Sequence, residues 1–218
     1  MADKKTKQNI DYRFLARIVI EATMPLAVHS GEKMSQTDAV VIKDANGLPY
    51  IPGSSIAGVI RHAWKDANKD VENIFGFQKK TKSTDAKETN GMGSRLIFTE
   101  ARILNSQGKV VDGLQPDAMN DVLLKGYEKL PVRQHVRITH RGVAADKGKF
   151  DEQIVYAGTR FCFEMELLGT EDEKEVFQSL LDILKQSTFR LGGGSRKGFG
   201  KIQVVEVLNV TMKLIDEK

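Results

Sequence analysis

The densest run of residues suited to chemistry is Gly192-Gly193-Gly194-Ser195-Arg196-Lys197-Gly198-Phe199-Gly200, with five glycines in nine positions and two adjacent cations. Successive main-chain amides in such a run, beside Arg196 and Lys197, can form a concave anion site. A glycine-rich turn that tolerates positive φ accounts for the same residues, and spacing does not choose between the two. The run fits neither common nucleotide motif. The third glycine of the dinucleotide fingerprint would fall on Lys197, and Phe199 stands where a Walker A lysine would follow Gly198. Pro52-Gly53-Ser54-Ser55 reads as a helix start, where serines cap the free amides and the positive dipole end suits an anion. Arg133, His135 and Arg137 recur at a spacing of two, followed by Arg141. They fit either a basic ribbon on nucleic acid or an edge strand guarded by charge.

Other chemistries find less support. His29, His62, His135 and His140 lack carboxylate or thiolate companions at metal-ligand spacing, and Ser54-Ser55 does not resemble a nucleophile elbow. The single cysteine, Cys162, excludes an intramolecular disulfide and a multi-thiolate zinc site. It lies in an apolar alternation that predicts a buried thiol. Any metal chemistry is thereby directed to oxygen ligands and a hard cation.

These residues must be positioned by a chain of 218 residues with 40% hydrophobic and 28% charged side chains, enough for one large core. The net charge of +4 (33 basic minus 29 acidic residues) allows an anionic partner without requiring one. No run approaches the roughly 18–20 uncharged residues of a membrane span, and no signal peptide is evident, so a cytoplasmic protein with no membrane partner is expected.

Period-two alternation predicts a strand over 12–23, then short strands at 39–42 and 48–52 around the Asn46-Gly47 turn. A helix follows from Pro52, with Ile56, Val59, Ile60, Ala63 and Ala67 on its apolar face. Residues 78–94 read as a long polar loop. Strands are expected at 94–104, 131–139, 153–156 and 160–168, with a polar turn through 141–149. Thr170 and Glu173 form a capping box for a helix over 171–187, whose buried stripe is Phe177, Leu180, Leu181 and Leu184. A last strand covers 201–210. Strand, helix, strands, helix, strand is the split βαβ order of a ferredoxin-like α+β sandwich.

Together these segments resemble the RAMP proteins, RNA-binding subunits of CRISPR effector complexes. Thr37–Asp44 with Tyr50–Arg61 is similar to their N-terminal signature. Phe75-Gly76 with Ser94–Phe98 and Ala101, and Ile138–Arg141 through Phe150, Val155 and Gly158-Thr159, resemble the next blocks. Leu191–Gly200 resembles the C-terminal glycine loop. The blocks run in order over about 14–205 and look most like the repeated backbone subunit of type III complexes of the Csm/Cmr kind.

The resemblance implies a single RAMP domain over 1–218, built on a ferredoxin-like, or modified RNA-recognition-motif, core. It implies a lid-like insertion at 76–94 and a thumb-like hairpin at 131–157. Ser54, Ser55, Arg61 and Gly192, Gly193, Gly194, Ser195, Arg196 and Lys197 are then expected on guide crRNA. Arg133, His135, Arg137 and Arg141 are expected near complementary target RNA. Asp38, otherwise an ordinary loop acid, holds the position of the aspartate required for target cleavage. A divalent ion, Mg2+, is the expected cofactor. Other copies of the chain in a helical filament and other CRISPR effector subunits are the expected protein partners. Relatives often carry lysines where this chain has Ala57 and Val59, glycine near His29 and aspartate at His140. A non-catalytic scaffold, and an anion-binding small-molecule enzyme using the glycine loop, are the alternative functions.

Overall fold

The computed structural model describes residues 10–31, 37–67, 70–78 and 91–214. Strand β1 (Tyr12–Ala22) is followed by helices α1 (Gly53–Asp66) and α2 (Val71–Phe75) and by the short strands β2 (Phe77–Gln78), β3 (Gly91–Met92), β4 (Leu96–Phe98) and β5 (Arg102–Ile103). A hairpin of β6 (Val132–Ile138) and β7 (Ala144–Gln153) precedes β8 (Arg160–Gly169), α3 (Lys174–Leu184) and β9 (Ile202–Lys213). The main sheet is antiparallel throughout, in the order β4-β8-β1-β9, with β5 also on β8.

Alternation in β1 sends Phe14, Ala16, Ile18, Ile20 and Ala22 to one face, where all are buried. Phe161, Phe163, Met165 and Leu167 of β8 lie on the same face and meet Ile56, Ile60 and Trp64 of α1 in one cluster with Phe177, Leu180, Leu181 and Leu184 of α3. Trp64 is 3% exposed and donates its indole N–H to Asp70 O. Arg13, Arg17, Glu164 and Glu166 occupy the opposite sheet face, where Arg13 pairs with Glu166 at 2.7 Å. Cys162 is buried, as its alternation predicts, and receives a hydrogen bond from Arg17 Nε.

Several boundaries differ from the sequence reading. The expected strands at 39–42 and 48–52 are isolated bridges, because their backbones pair piecewise with His29, Glu152, Ala101 and each other. The Asp44 carboxylate holds the intervening turn by accepting from Asn46 N and Leu48 N. The strand expected at 94–104 breaks into β4 and β5, with Ala101 turning away to bridge Ile51. Helix α1 is not capped by serine: Pro52 is its N-cap, and no side chain caps it.

The largest shift concerns the return strand of the hairpin. It occupies 144–153, most of which reads as a polar turn in the sequence. The register slips between Val136↔Lys149 and Ile138↔Ala144, so a bulge lies opposite Arg137. There Lys147 takes φ +50°, and a side chain at Gly148 would press on Ala145 O. At the other end of the chain, the Thr170–Glu173 capping box forms as expected and leads into α3 through a short 3-10 turn. The β2–β3 pair stands at the base of the expected 76–94 insertion, and residues 79–90 lie outside the described residues.

Candidate nucleic-acid interface

Two grooves flank α1. One, of about 380 Å3, is lined by Gly53, Ser54, Arg61 and Phe75 among others. The other, of about 590 Å3, runs from Val59, His62 and Ala63 to Phe189, Gly192 and Ser195. Gly58 lines both, and a Cβ added there would meet nothing within 4 Å. The helix face bearing Ser54, Gly58 and Arg61 therefore continues to the glycine-rich loop. In the first turn, Ser55 N and Ile56 N donate to Pro52 O. The amides of Gly53 and Ser54 find no internal acceptor among the described residues. Arg61 is exposed and donates to Gly76 O at 3.3 Å. A larger cavity of about 720 Å3, lined by Arg17, Arg102, Lys109 and Glu164, contains none of the expected site residues.

The glycine loop combines its two readings. Gly192, Gly194, Gly198 and Gly200 all have positive φ. A Cβ at Gly200 would overlap Leu191 O, and one at Gly192 would lie 2.6 Å from Ala27 O. The amides of Gly193, Lys197, Gly198, Phe199 and Gly200 are engaged with Ala27, Gly194, Ser195, Gly194 and Pro25 carbonyls. Only the amides of Gly194, Ser195 and Arg196 form a consecutive run without an internal acceptor among the described residues. Arg196 is exposed.

Lys197 takes a different direction. Its Nζ lies 2.9 Å from Glu152 Oε1 and 4.4 Å from the Phe150 ring centroid. Glu152 sits near the end of β7, with its side chain 6% exposed. His135 Nε2 approaches the same Oε1 at 2.6 Å, without the alignment of a hydrogen bond, and its ring stacks on Phe150. His29 Nε2 lies 3.7 Å from Glu152 Oε2 and donates to Gln153 O. His135 is thus turned inward, whereas Arg133, Arg137 and Arg141 are exposed along the hairpin.

Asp38 is exposed and stands beside this cluster. Its amide donates to Asp151 O, and its Oδ2 accepts from Asp151 N at 3.0 Å. The next residue, Ala39, bridges Glu152. The C-terminal end of β7 therefore joins three predicted regions: the Asp38 loop, the hairpin and the glycine loop. Glu152 carries no role in the sequence reading because it falls between the turn expected over 141–149 and the strand expected at 153–156, whereas Phe150 is named there only within a RAMP-like block. Their signal was a spacing of two, which places both on one strand face.

Among the described residues, no group of three or more His, Cys, Asp or Glu side chains could hold a metal ion. The Asp38 carboxylate is nonetheless an exposed hard-oxygen donor. That suits Mg2+, which keeps several waters and uses one or two carboxylates with substrate phosphates.

A RAMP superfamily model matches residues 19–203. The chain belongs to the RAMP superfamily. No curated protein matches it. Among solved structures, a chain of apo type III-B Cmr-beta is 16% identical, with a TM-score of 0.58 over 88% of this chain and 96% of that one. A chain of type III-B Cmr-beta bound to cognate target RNA is 15% identical, with a TM-score of 0.60 over 92% of this chain and 61% of that one. These likenesses are of fold. The RAMP match encloses Asp38, α1, the β6–β7 hairpin and the glycine loop.

Proposed function

We propose that this RAMP protein is a guide-RNA-binding backbone subunit of a type III CRISPR effector complex that cleaves complementary target RNA at Asp38. The observation that carries this reading is the placement of an exposed aspartate on the same strand end that anchors the glycine loop and the basic hairpin. The core is read as ferredoxin-like, supported by the order β4-β8-β1-β9 with α1 and α3 on one face. The β6–β7 hairpin is read as the thumb, and the chain as a single domain around one main cluster. No helix among the described residues is long and apolar enough to cross a membrane. A cytoplasmic complex with crRNA, target RNA, further copies of the chain and other effector subunits fits this function.

Guide contacts come from Ser54 and Arg61 in the α1 groove, from Ser55 in the first turn of α1, and from the free amides of Gly194–Arg196. Gly192 and Gly193 shape the loop that presents them. Such contacts read phosphate, sugar and shape, and leave sequence choice to base pairing. Arg133, Arg137 and Arg141 lie along the hairpin, where they can meet the target strand.

In the cleavage step, the target 2′-oxygen forms a bond to the adjacent phosphorus as the P–O5′ bond breaks. The 2′-hydroxyl proton leaves, and a proton reaches the 5′-oxygen, giving a 2′,3′-cyclic phosphate and a 5′-hydroxyl. In-line positioning of the splayed backbone supplies much of the acceleration. The Asp38 carboxylate would hold Mg2+, which stabilises charge on the phosphoryl oxygens when bound. Asp38 also has a purely structural reading as a non-catalytic scaffold residue, favoured by its paired hydrogen bonds to Asp151.

Asp38→Asn separates the two, because an amide oxygen can still accept from Asp151 N while the charge is removed. In the assembled complex, Asp38→Asn should lose at least about a hundredfold in target cleavage, a transition-state loss of roughly 2.7 kcal/mol, with guide RNA still co-purifying. Unchanged cutting would leave the scaffold reading.

A further inference from the structure

We propose that Glu152 is a positioning residue that couples the guide path at Lys197 to the cleavage loop at Asp38. This inference rests on the functional reading above. The Glu152 side chain is almost fully withdrawn from solvent, and a buried carboxylate is held there only by opposing charge. Its fixed counter-charge is Lys197, carried by the glycine loop, at 2.9 Å. Lys197 is itself 39% exposed on its side chain, so one ammonium can meet both the buried carboxylate and a phosphate arriving from solvent. On its other side, Glu152 bridges Ala39 through the backbone, one residue from Asp38. Any displacement of Lys197 by RNA is transmitted to the peptide that carries Asp38.

The charged and titratable groups around the junction come from every element packed against it. They are His29 from the loop after β1, Asp38 from the next loop, Arg133 and His135 from β6, Asp151 from β7 and Lys197 from the glycine loop. Both imidazoles face the carboxylate that Lys197 meets, so an ammonium drawn off by phosphate leaves Glu152 to His29 and His135 alone.

The test uses the assembled complex with Glu152→Gln, Lys197→Met, both together, and Asp38→Asn as reference. Guide affinity and single-turnover cleavage are measured for each. Coupled neighbours show non-additive effects. Glu152→Gln should slow cleavage about tenfold, adding Lys197→Met should slow it little further, and Glu152→Gln should leave guide affinity unchanged once Lys197 is methionine. Additive effects on cleavage, or a Glu152→Gln complex with the wild-type rate, would overturn the proposal. If Glu152→Gln does not assemble, Lys197→Met alone must slow single-turnover cleavage by the guide-loaded complex, and an unchanged rate is equally fatal. An Asp38→Asn complex that cuts normally refutes the nuclease reading. The Glu152–Lys197 coupling is then judged by guide affinity alone.

Discussion

Glu173 and Glu152 are both carboxylates largely withdrawn from solvent, at opposite ends of the sheet, and their partners differ in kind. Glu173 takes two hydrogen bonds of 2.6 Å from the buried guanidinium of Arg95 and one from Thr170 N. Arg95 places its remaining donors on Asn73 O, Asn73 Oδ1 and Leu168 O. A Cβ at Gly169 would overlap the Glu173 carboxylate, so only glycine lets it come this close. Glu152 instead meets two imidazoles and the flexible, partly exposed Lys197. Planar, permanent charge with every donor satisfied makes a rivet that holds α3 to the sheet. A partly exposed ammonium over a buried carboxylate makes a junction that can respond to what binds.

The contrast breaks most readily at Arg95. Replacing it by alanine leaves Glu173 without its counter-charge, and about 3–5 kcal/mol of stability should be lost. Urea unfolding checks this, and a loss below about 1 kcal/mol would put Arg95–Glu173 in the same class as the Glu152 junction.

A smaller effect is the pH dependence of the Arg95–Glu173 pair. The Arg95 hydrogen bonds hold the Glu173 carboxyl below its ordinary value of 4.5, against an opposing push from burial. Its folded pKa is therefore depressed, so its stabilisation is complete above the ordinary value and is lost as pH falls through the lowered one. Thermal melts from pH 2.5 to 6 should show a steeper acid limb in wild type than in Glu173→Gln. Coincident limbs would remove Glu173 as the source.

The smallest expected stability change is at Lys197. Lys197 is partly exposed and the His29 and His135 rings also face Glu152, so Lys197→Met should cost less than Arg95→Ala, on the order of 1 kcal/mol. Its guide affinity should nonetheless lose about 0.7 from the slope of log K against log salt, one single-strand phosphate contact. A fluorescence titration at several salt concentrations reads this, and an unchanged slope would assign Lys197 to the fold alone.

Legibility in the sequence followed packing. Strand β1 alternates because one face is buried against α1 and α3, and the Thr170–Glu173 box is visible because capping is local. The hairpin return strand is illegible in the sequence because, among the strands of the described residues, β6 and β7 pair only with each other. Val136, Ile138 and Val143 are exposed, so no buried face imposes an alternation there. Serine capping of α1 was misread because Pro52, with its fixed φ, takes the N-cap and draws Ser54 and Ser55 into the first turn.

The sequence by itself determined the family-like order of blocks, the two amphipathic helices, the basic spacing of Arg133, Arg137 and Arg141, and the glycine loop. Each is written in residues close along the chain, where period and composition carry the physics. Only the tertiary structure decided that Lys197 reaches Glu152, that His135 turns inward, that Glu152 is buried, and that Asp38 hangs from Asp151. Those contacts join His29, Asp38, His135, Glu152 and Lys197 from separate segments. A buried charge and its partners are selected by which surfaces close over one another, and neighbouring residues along the chain do not encode that.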